Sequence, residues 1–120
     1  MNRALLEMGR KQRLLCLRQG SEDDWHSLAE AAEFDVNKFA DLFGLSTRQM
    51  ERLVQARFKL PPRDFLLRER MRAARSLLPL ANSIKEISFK LGYTHPTTFN
   101  RHFKLFHGIT PSQFLMSPAV

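Results

Sequence analysis

Cysteine is nearly absent from this 120-residue chain; Cys16 is the only one. A lone thiol closes no internal disulfide and assembles no thiolate metal cluster, so a reduced, cytoplasmic setting is expected. Long apolar runs are missing too. Nothing approaches the length of a membrane span, about 18 residues. Arg10, Lys11 and Arg13 interrupt the N-terminal stretch that a signal peptide would keep apolar. The four histidines, His26, His95, His102 and His107, have neither paired cysteines nor an HExxH-like spacing. No glycine-rich loop is built to cradle phosphate, and no nucleophile stands with a base. The sequence therefore predicts no enzyme, no metal and no cofactor, with His102 and His107 read as surface or phosphate-contacting residues.

What the chain has is positive charge, unevenly placed. The formal net charge is +7. Residues 1–20 carry five basic side chains against one acidic, residues 21–60 five against eight, and residues 61–120 nine against three. A basic protein with one acidic stretch suits a polyanion on one side and something else on the other. Charge alone leaves nucleic acid, anionic membrane and plain solubility open. With 43% apolar residues, and a length that buries roughly two thirds of the unfolded surface, the chain can build a core without staples.

Helical spacing runs through almost the whole sequence, and no convincing alternating strand is present. Ser21 and Asp24 form a capping-box pattern ahead of Trp25, Leu28, Ala29 and Ala32. Asp35 caps a short helix with Val36, Phe39 and Ala40 inward, ending at Gly44. Ser46 caps a third, with Met50, Leu53 and Val54 as its apolar face. Pro61 and Pro62 open a long basic helix to about Leu78, striped by Phe65, Leu66, Met71, Ala74, Leu77 and Leu78. Pro79 ends it. Ser83 caps a helix burying Ile84, Ile87 and Leu91 and stopping at Gly92. Pro96 then opens a helix whose predicted core face is Phe99, Phe103 and Phe106. Thr110 and Pro111 start a last one, holding Phe114 and Leu115. Residues 1–20, with Leu5, Leu6, Met8, Leu14, Leu15 and Leu17 among basic residues, are compatible with a helix, an interdomain linker or a disordered arm. The tail at 117–120 is expected to fray.

Two of these stretches repeat each other. Val36, Phe39, Phe43 and Gly44 match Ile84, Ile87, Leu91 and Gly92 at an offset of 48. One inserted residue moves the offset to 49. Met50, Arg52, Val54, Pro62, Phe65 and Leu66 then match Phe99, Arg101, Phe103, Pro111, Phe114 and Leu115. A short helix, a tight glycine turn and a second helix make a helix-turn-helix. The predicted fold is all-α: two homeodomain-like helix-turn-helix three-helix units joined by a long connecting helix. The bipartite domain is expected at 21–116, with its first unit at about 22–60, the connector at about 61–78 and the second unit at about 83–116.

At this point the sequence resembles the AraC/XylS family of bacterial transcription regulators, over roughly residues 22–116. The most specific stretches are SIKEIS, GYTHPTTFNRHFK and GITPSQF in the second unit, and RMRAARSLL in the connector. The resemblance implies a double-stranded DNA-binding regulator of the bacterial cytoplasm, associated with the nucleoid. Members mostly activate transcription, often by contacting RNA polymerase, and set two recognition helices in successive major-groove segments. Such a module works as a monomer on DNA, or as a dimer through a further domain. Four positions depart from the pattern: Lys59 stands at a usual glycine, Val54 at a common aromatic, His95 at the usual Asp or Ser cap, and Leu115 where Arg is common.

The recognition helices are expected at about 47–58 and 96–106. Base contacts are assigned to Arg48, Gln49, Glu51 and Arg52 in the first, and to Pro96, Thr97, Thr98, Asn100 and Arg101 in the second. Arginine reaches guanine bidentately, Glu51 can accept from cytosine, Asn100 can read adenine and Thr98 can meet a thymine methyl. Backbone contacts are assigned to Ser46, Gln55, His95, His102 and Lys104. Arg63, Arg68, Arg72 and Arg75 on the connector are read as solvated surface or phosphate contacts. The competing reading of each recognition face is a solvated charged surface held by i,i+3 and i,i+4 pairs. At the level of the whole chain, the alternatives are a protein-interaction module and a non-specific nucleic-acid binder with a structural first unit. Glu22, Asp23, Asp24, Glu30, Glu33 and Asp35 form a candidate surface for polymerase or another regulator. Single-strand binding is disfavoured because the phenylalanines sit at core spacing rather than as exposed platforms.

Overall fold

Five of the helices start at side chains that accept from the free N–H groups of the first turn. In the computed structural model, which describes residues 9–117, Ser21, Ser46 and Thr110 each close a full capping box, with Asp24, Gln49 and Gln113. Asp35 accepts from the Lys38 N–H, and Ser83 from that of Glu86. The helices are α1 (Arg10–Gln19), α2 (Glu22–Ala31), α3 (Val36–Leu42), α4 (Thr47–Phe58), α5 (Pro62–Leu77), α6 (Ile84–Lys90), α7 (Pro96–His107) and α8 (Pro111–Met116). A 3₁₀ turn, Leu78–Leu80, follows α5 around Pro79. No strand occurs among the described residues, so the all-α expectation holds. The arm's first eight residues, with Leu5, Leu6 and Met8, and the tail at 118–120 lie outside the described residues.

The chain divides into two compact units, residues 1–69 and 70–120, each with its own core. In the first, Trp25, Leu28, Phe39, Met50, Val54, Phe65 and Leu66 are fully buried or nearly so. In the second, Met71, Ala74, Leu78, Ile87, Phe99 and Phe103 play that part. The sequence repeat is repeated in the backbone. Gly44 N–H donates to the Asp41 carbonyl and Leu45 N–H to that of Ala40; at the same offset, Gly92 N–H donates to Phe89 and Tyr93 N–H to Ser88. Both glycines have positive φ, 65° and 91°, which an L side chain adopts only at a cost.

Three expectations about the core are corrected. Phe106 is 39% exposed rather than buried, and Leu115 is 44% exposed although its repeat partner Leu66 is covered. Ile84 is only half-buried. Short α8 and the flank of α7 have more apolar positions than neighbouring elements to cover them.

One departure from the repeat carries a stability prediction. Lys59 ends α4 in the left-handed region, at φ 60°, where its counterpart Gly108 sits at φ 80°. Lys59→Gly is expected to stabilise the first unit by about 1 kcal/mol, because glycine enters this conformation without the clash of a Cβ. Thermal melting should show the gain as a rise of about 4–8 °C, and an unchanged midpoint would count against a strained cap.

Candidate nucleic-acid interface

Each recognition helix is held from beneath by two fully buried side chains, Met50 and Val54 in α4, and Phe99 and Phe103 in α7. The ring of Phe103 lies 5.7 Å from that of Phe114, and Tyr93 lies 5.5 Å from Phe99. Fixing one face of a helix on a core fixes which residues the opposite face offers. In α4 these are Arg48, Gln49, Glu51, Arg52 and Gln55, all exposed. In α7, Thr97, Asn100, Arg101 and Lys104 are exposed, while Pro96, Thr98 and His102 are half-buried.

The pairing that would make these faces self-sufficient is missing. Among the described residues, Arg48, Arg52, Arg101 and Lys104 take part in no ion pair and stack on no ring. Glu51 stands between Arg48 and Arg52 in sequence and binds neither. Each recognition helix thus presents an unneutralised cationic face together with the positive end of its dipole.

Several assigned residues also have local work. Gln49 Oε1 accepts from the Ser46 N–H at 2.9 Å while Ser46 Oγ accepts from the Gln49 N–H at 3.1 Å, which leaves the Gln49 amide NH₂ to face outward. His95 precedes α7 without capping it, so its ring is uncommitted there. The Tyr93 hydroxyl and His102 Nδ1 share a hydrogen bond at 2.7 Å. Burial, then the charges of Arg101 and Arg70, push the His102 pKa below its ordinary value, so this ring is neutral at neutral pH. His102 can therefore meet a phosphate only as a neutral ring, without a positive charge. Burial also raises the Tyr93 pKa, keeping its hydroxyl protonated, despite the opposing influence of Arg70.

The surface reading of His107 is corrected: its Nε2–H donates to the Met71 carbonyl at 2.9 Å, tying the end of α7 to α5. Two connector arginines are occupied as well. Arg68 lies over the Phe58 and Phe65 rings and donates to Glu69, and Arg75 lies over Phe114. Four residues of the acidic stretch also have local work: Asp24 and Asp35 cap helices, Glu30 approaches His26, and Glu33 pairs with Lys38. Sequence spacing missed one neighbour of α4. Arg18, from α1, borders an open depression of about 300 Å³ together with Leu45, Gln49, Arg52, Leu53 and Ala56.

Among the described residues no cluster of His, Cys, Asp or Glu is arranged to hold a metal, and no helix is long and apolar enough to cross a membrane.

Comparison with known proteins agrees with this geometry. The helix-turn-helix domain family matches residues 39–117. An uncharacterised HTH-type transcriptional regulator of Haemophilus influenzae is 27% identical over 105 residues, 87% of this chain; the chain spans 32% of that relative's length. The C-terminal domain of the two-component response regulator yesN from Fusobacterium nucleatum is similar in structure, with TM-score 0.63, 26% identity, and 74% of this chain and 91% of that one covered. The C-terminal domain of AraT, a response regulator from Geobacillus stearothermophilus, shares the fold at TM-score 0.66, with 21% identity and 87% and 84% coverage.

Proposed function

This chain belongs to the AraC-type helix-turn-helix family of transcription regulators, a DNA-binding and non-enzymatic family, and from that premise we propose that it reads a specific double-stranded DNA sequence in two segments. Helices α4 and α7 each enter a major-groove segment of one duplex. Arg48, Arg52 and Arg101 contact base edges, with Gln49, Glu51, Thr97, Thr98, Asn100 and Pro96 adding selectivity. Ser46, Gln55, His95, His102 and Lys104 hold the flanking backbone. Residues 21–116 form the reading module, and the regulatory sense is activation, through a contact with RNA polymerase.

The observation that carries this reading is the pair of unneutralised cationic faces, each mounted on a helix fixed by two buried side chains, at matching positions of an internal repeat. A surface that served only solubility would gain from pairing Arg48 with Glu51, three positions on along the same face.

Selection from a random duplex library tests the reading. The expected product is a split motif with two informative segments about one helical turn apart. Arg52→Ala should relax one segment and Arg101→Ala the other, each costing about 1–3 kcal/mol in binding. Recovery of a single segment would make the first unit structural. Weak binding without any enriched motif would remove sequence-specific recognition. Activation is read separately, as transcription from a promoter carrying the selected site.

A further inference from the structure

Helix α1 lies before the stretch that matches the helix-turn-helix family, and its composition is one-sided. It carries Arg10, Lys11, Arg13 and Arg18 and no acidic residue. A ten-residue helix of this kind has little stability alone. Its place is set by the first unit. Leu17 is completely buried, and Arg13 Nη1 donates to the carbonyl of Leu42 at the end of α3. Arg10 reaches Asp41 at 3.8 Å, and its side chain lies against Gly44. Leu42, Asp41 and Gly44 are the last turn of α3 and the glycine turn that leads into α4. Helix α1 is therefore docked on the first helix-turn-helix itself.

The residue next to buried Leu17 is Arg18. It is exposed, and among the described residues no carboxylate pairs with it and no ring lies under it. It shares its depression with Arg52, also unpaired, and with Gln49. Two guanidinium groups bordering one open hollow, without an internal counter-charge, call for an anion from outside. Beside a helix that reads a major groove, that anion is a phosphate of the strand bordering the groove.

We propose that Arg18 is a DNA phosphate ligand, and that α1 is part of the DNA-binding module, with Arg10, Arg13 and Leu17 as the residues that position it. The inference rests on the two-segment reading above, and extends the interface to a helix that the repeat does not contain.

The test is a titration of the whole chain against its selected duplex, and against an unrelated duplex, over a range of salt. Arg18→Ala is expected to weaken both complexes by a similar factor, about tenfold, the size of one charge-assisted hydrogen bond. It should also lower the slope of log affinity against log salt by about 1. Arg18→Lys should restore most of the loss, and neither substitution should move the melting midpoint, because the side chain is exposed. Unchanged affinity and slope in Arg18→Ala, beside a loss in Arg52→Ala, would overturn the proposal and leave the two-segment reading standing. A changed base preference in Arg18→Ala would overturn the phosphate assignment in favour of base contact. If selection enriches no motif, the two-segment reading fails, and the slope on the unrelated duplex still decides whether Arg18 meets a phosphate.

Discussion

Trp25→Ala should destabilise the first unit by about 3–5 kcal/mol, the cost of emptying a large aromatic site in a packed core. Trp25 is 1% exposed and stands at the centre of a ring cluster. Its ring meets Phe58 edge-on at 5.0 Å and Phe65 at 5.9 Å, with Phe39 at 6.4 Å. Phe58 and Phe65 stack at 4.5 Å, and the Arg68 guanidinium covers both. Each such aromatic pair adds about 0.5–1.5 kcal/mol beyond the area it buries. The cluster brings α2, α3, α4 and α5 together, so its loss removes the support of Met50 and Val54 and, with it, the orientation of Arg48 and Arg52. Denaturant unfolding followed by circular dichroism should show the loss of stability. The DNA consequence is sharper. In a repeat selection, Trp25→Ala should lose the segment read by α4 and keep the one read by α7. Phe103→Ala, which empties a fully buried site beneath α7 in the second unit, should do the reverse. Equal loss of both segments in each variant would mean that the units do not read separately.

Much of this arrangement is legible in the sequence because the chemistry that sets it is local. Ser21, Asp35, Ser46, Ser83 and Thr110 cap helices through N–H groups three residues away, so a short window contains both partners. The repeat is legible for a related reason: its turns need a left-handed backbone at Gly44 and Gly92, and its cores need large apolar residues at fixed spacing. What spacing does not reveal is which exposed-looking residue finds a distant partner. His107 reaches Met71 across 36 positions, Arg13 reaches Leu42 across 29, and His26 reaches Glu69 across 43. The docking of α1 depends on such contacts, which is why residues 1–20 read equally well as linker, arm or helix. Spacing also overstates burial where neighbours are few, as at Phe106 and Leu115. Glu33 and Phe34, both at positive φ between α2 and α3, carry no glycine or asparagine to announce the turn. For the candidate interface, periodicity gives the exposed positions of α4 and Thr97, Asn100, Arg101 and Lys104 of α7, since exposure follows from where Met50, Val54, Phe99 and Phe103 point, while Pro96, Thr98 and His102 are half-buried. The tie between Gln49 and the cap, and the neutral state of His102, come only from the folded arrangement.

Glu69 should make the first unit sensitive to acid. Its carboxylate is 3% exposed, yet it is charged and bound on both sides: His26 Nδ1–H donates to Oε1 at 3.2 Å and Arg68 Nε–H to Oε2 at 3.1 Å. Burial pushes its pKa up, but the hydrogen bonds from His26 and Arg68, with their charges, outweigh it and hold the group below the ordinary 4.5. A carboxylate whose folded pKa is depressed stabilises the fold above its unfolded pKa, and the contribution disappears as the pH falls through the lower folded value. Wild-type protein should therefore keep this contribution above about pH 4.5 and lose it progressively below. Glu69→Gln should cost about 2–3 kcal/mol at neutral pH, less than two full charge-assisted hydrogen bonds because Arg68 and His26 remain partly in contact with water. The wild-type and Glu69→Gln curves of unfolding free energy against pH should converge at the acid end, where both proteins carry a neutral group at this position. Parallel curves across the whole range would show that the carboxylate charge contributes nothing. The same bond joins α2 to α5, the two helices that bring Trp25 to Phe65. Acid that breaks it should loosen the ring cluster beneath α4 and weaken reading of the first DNA segment before the second.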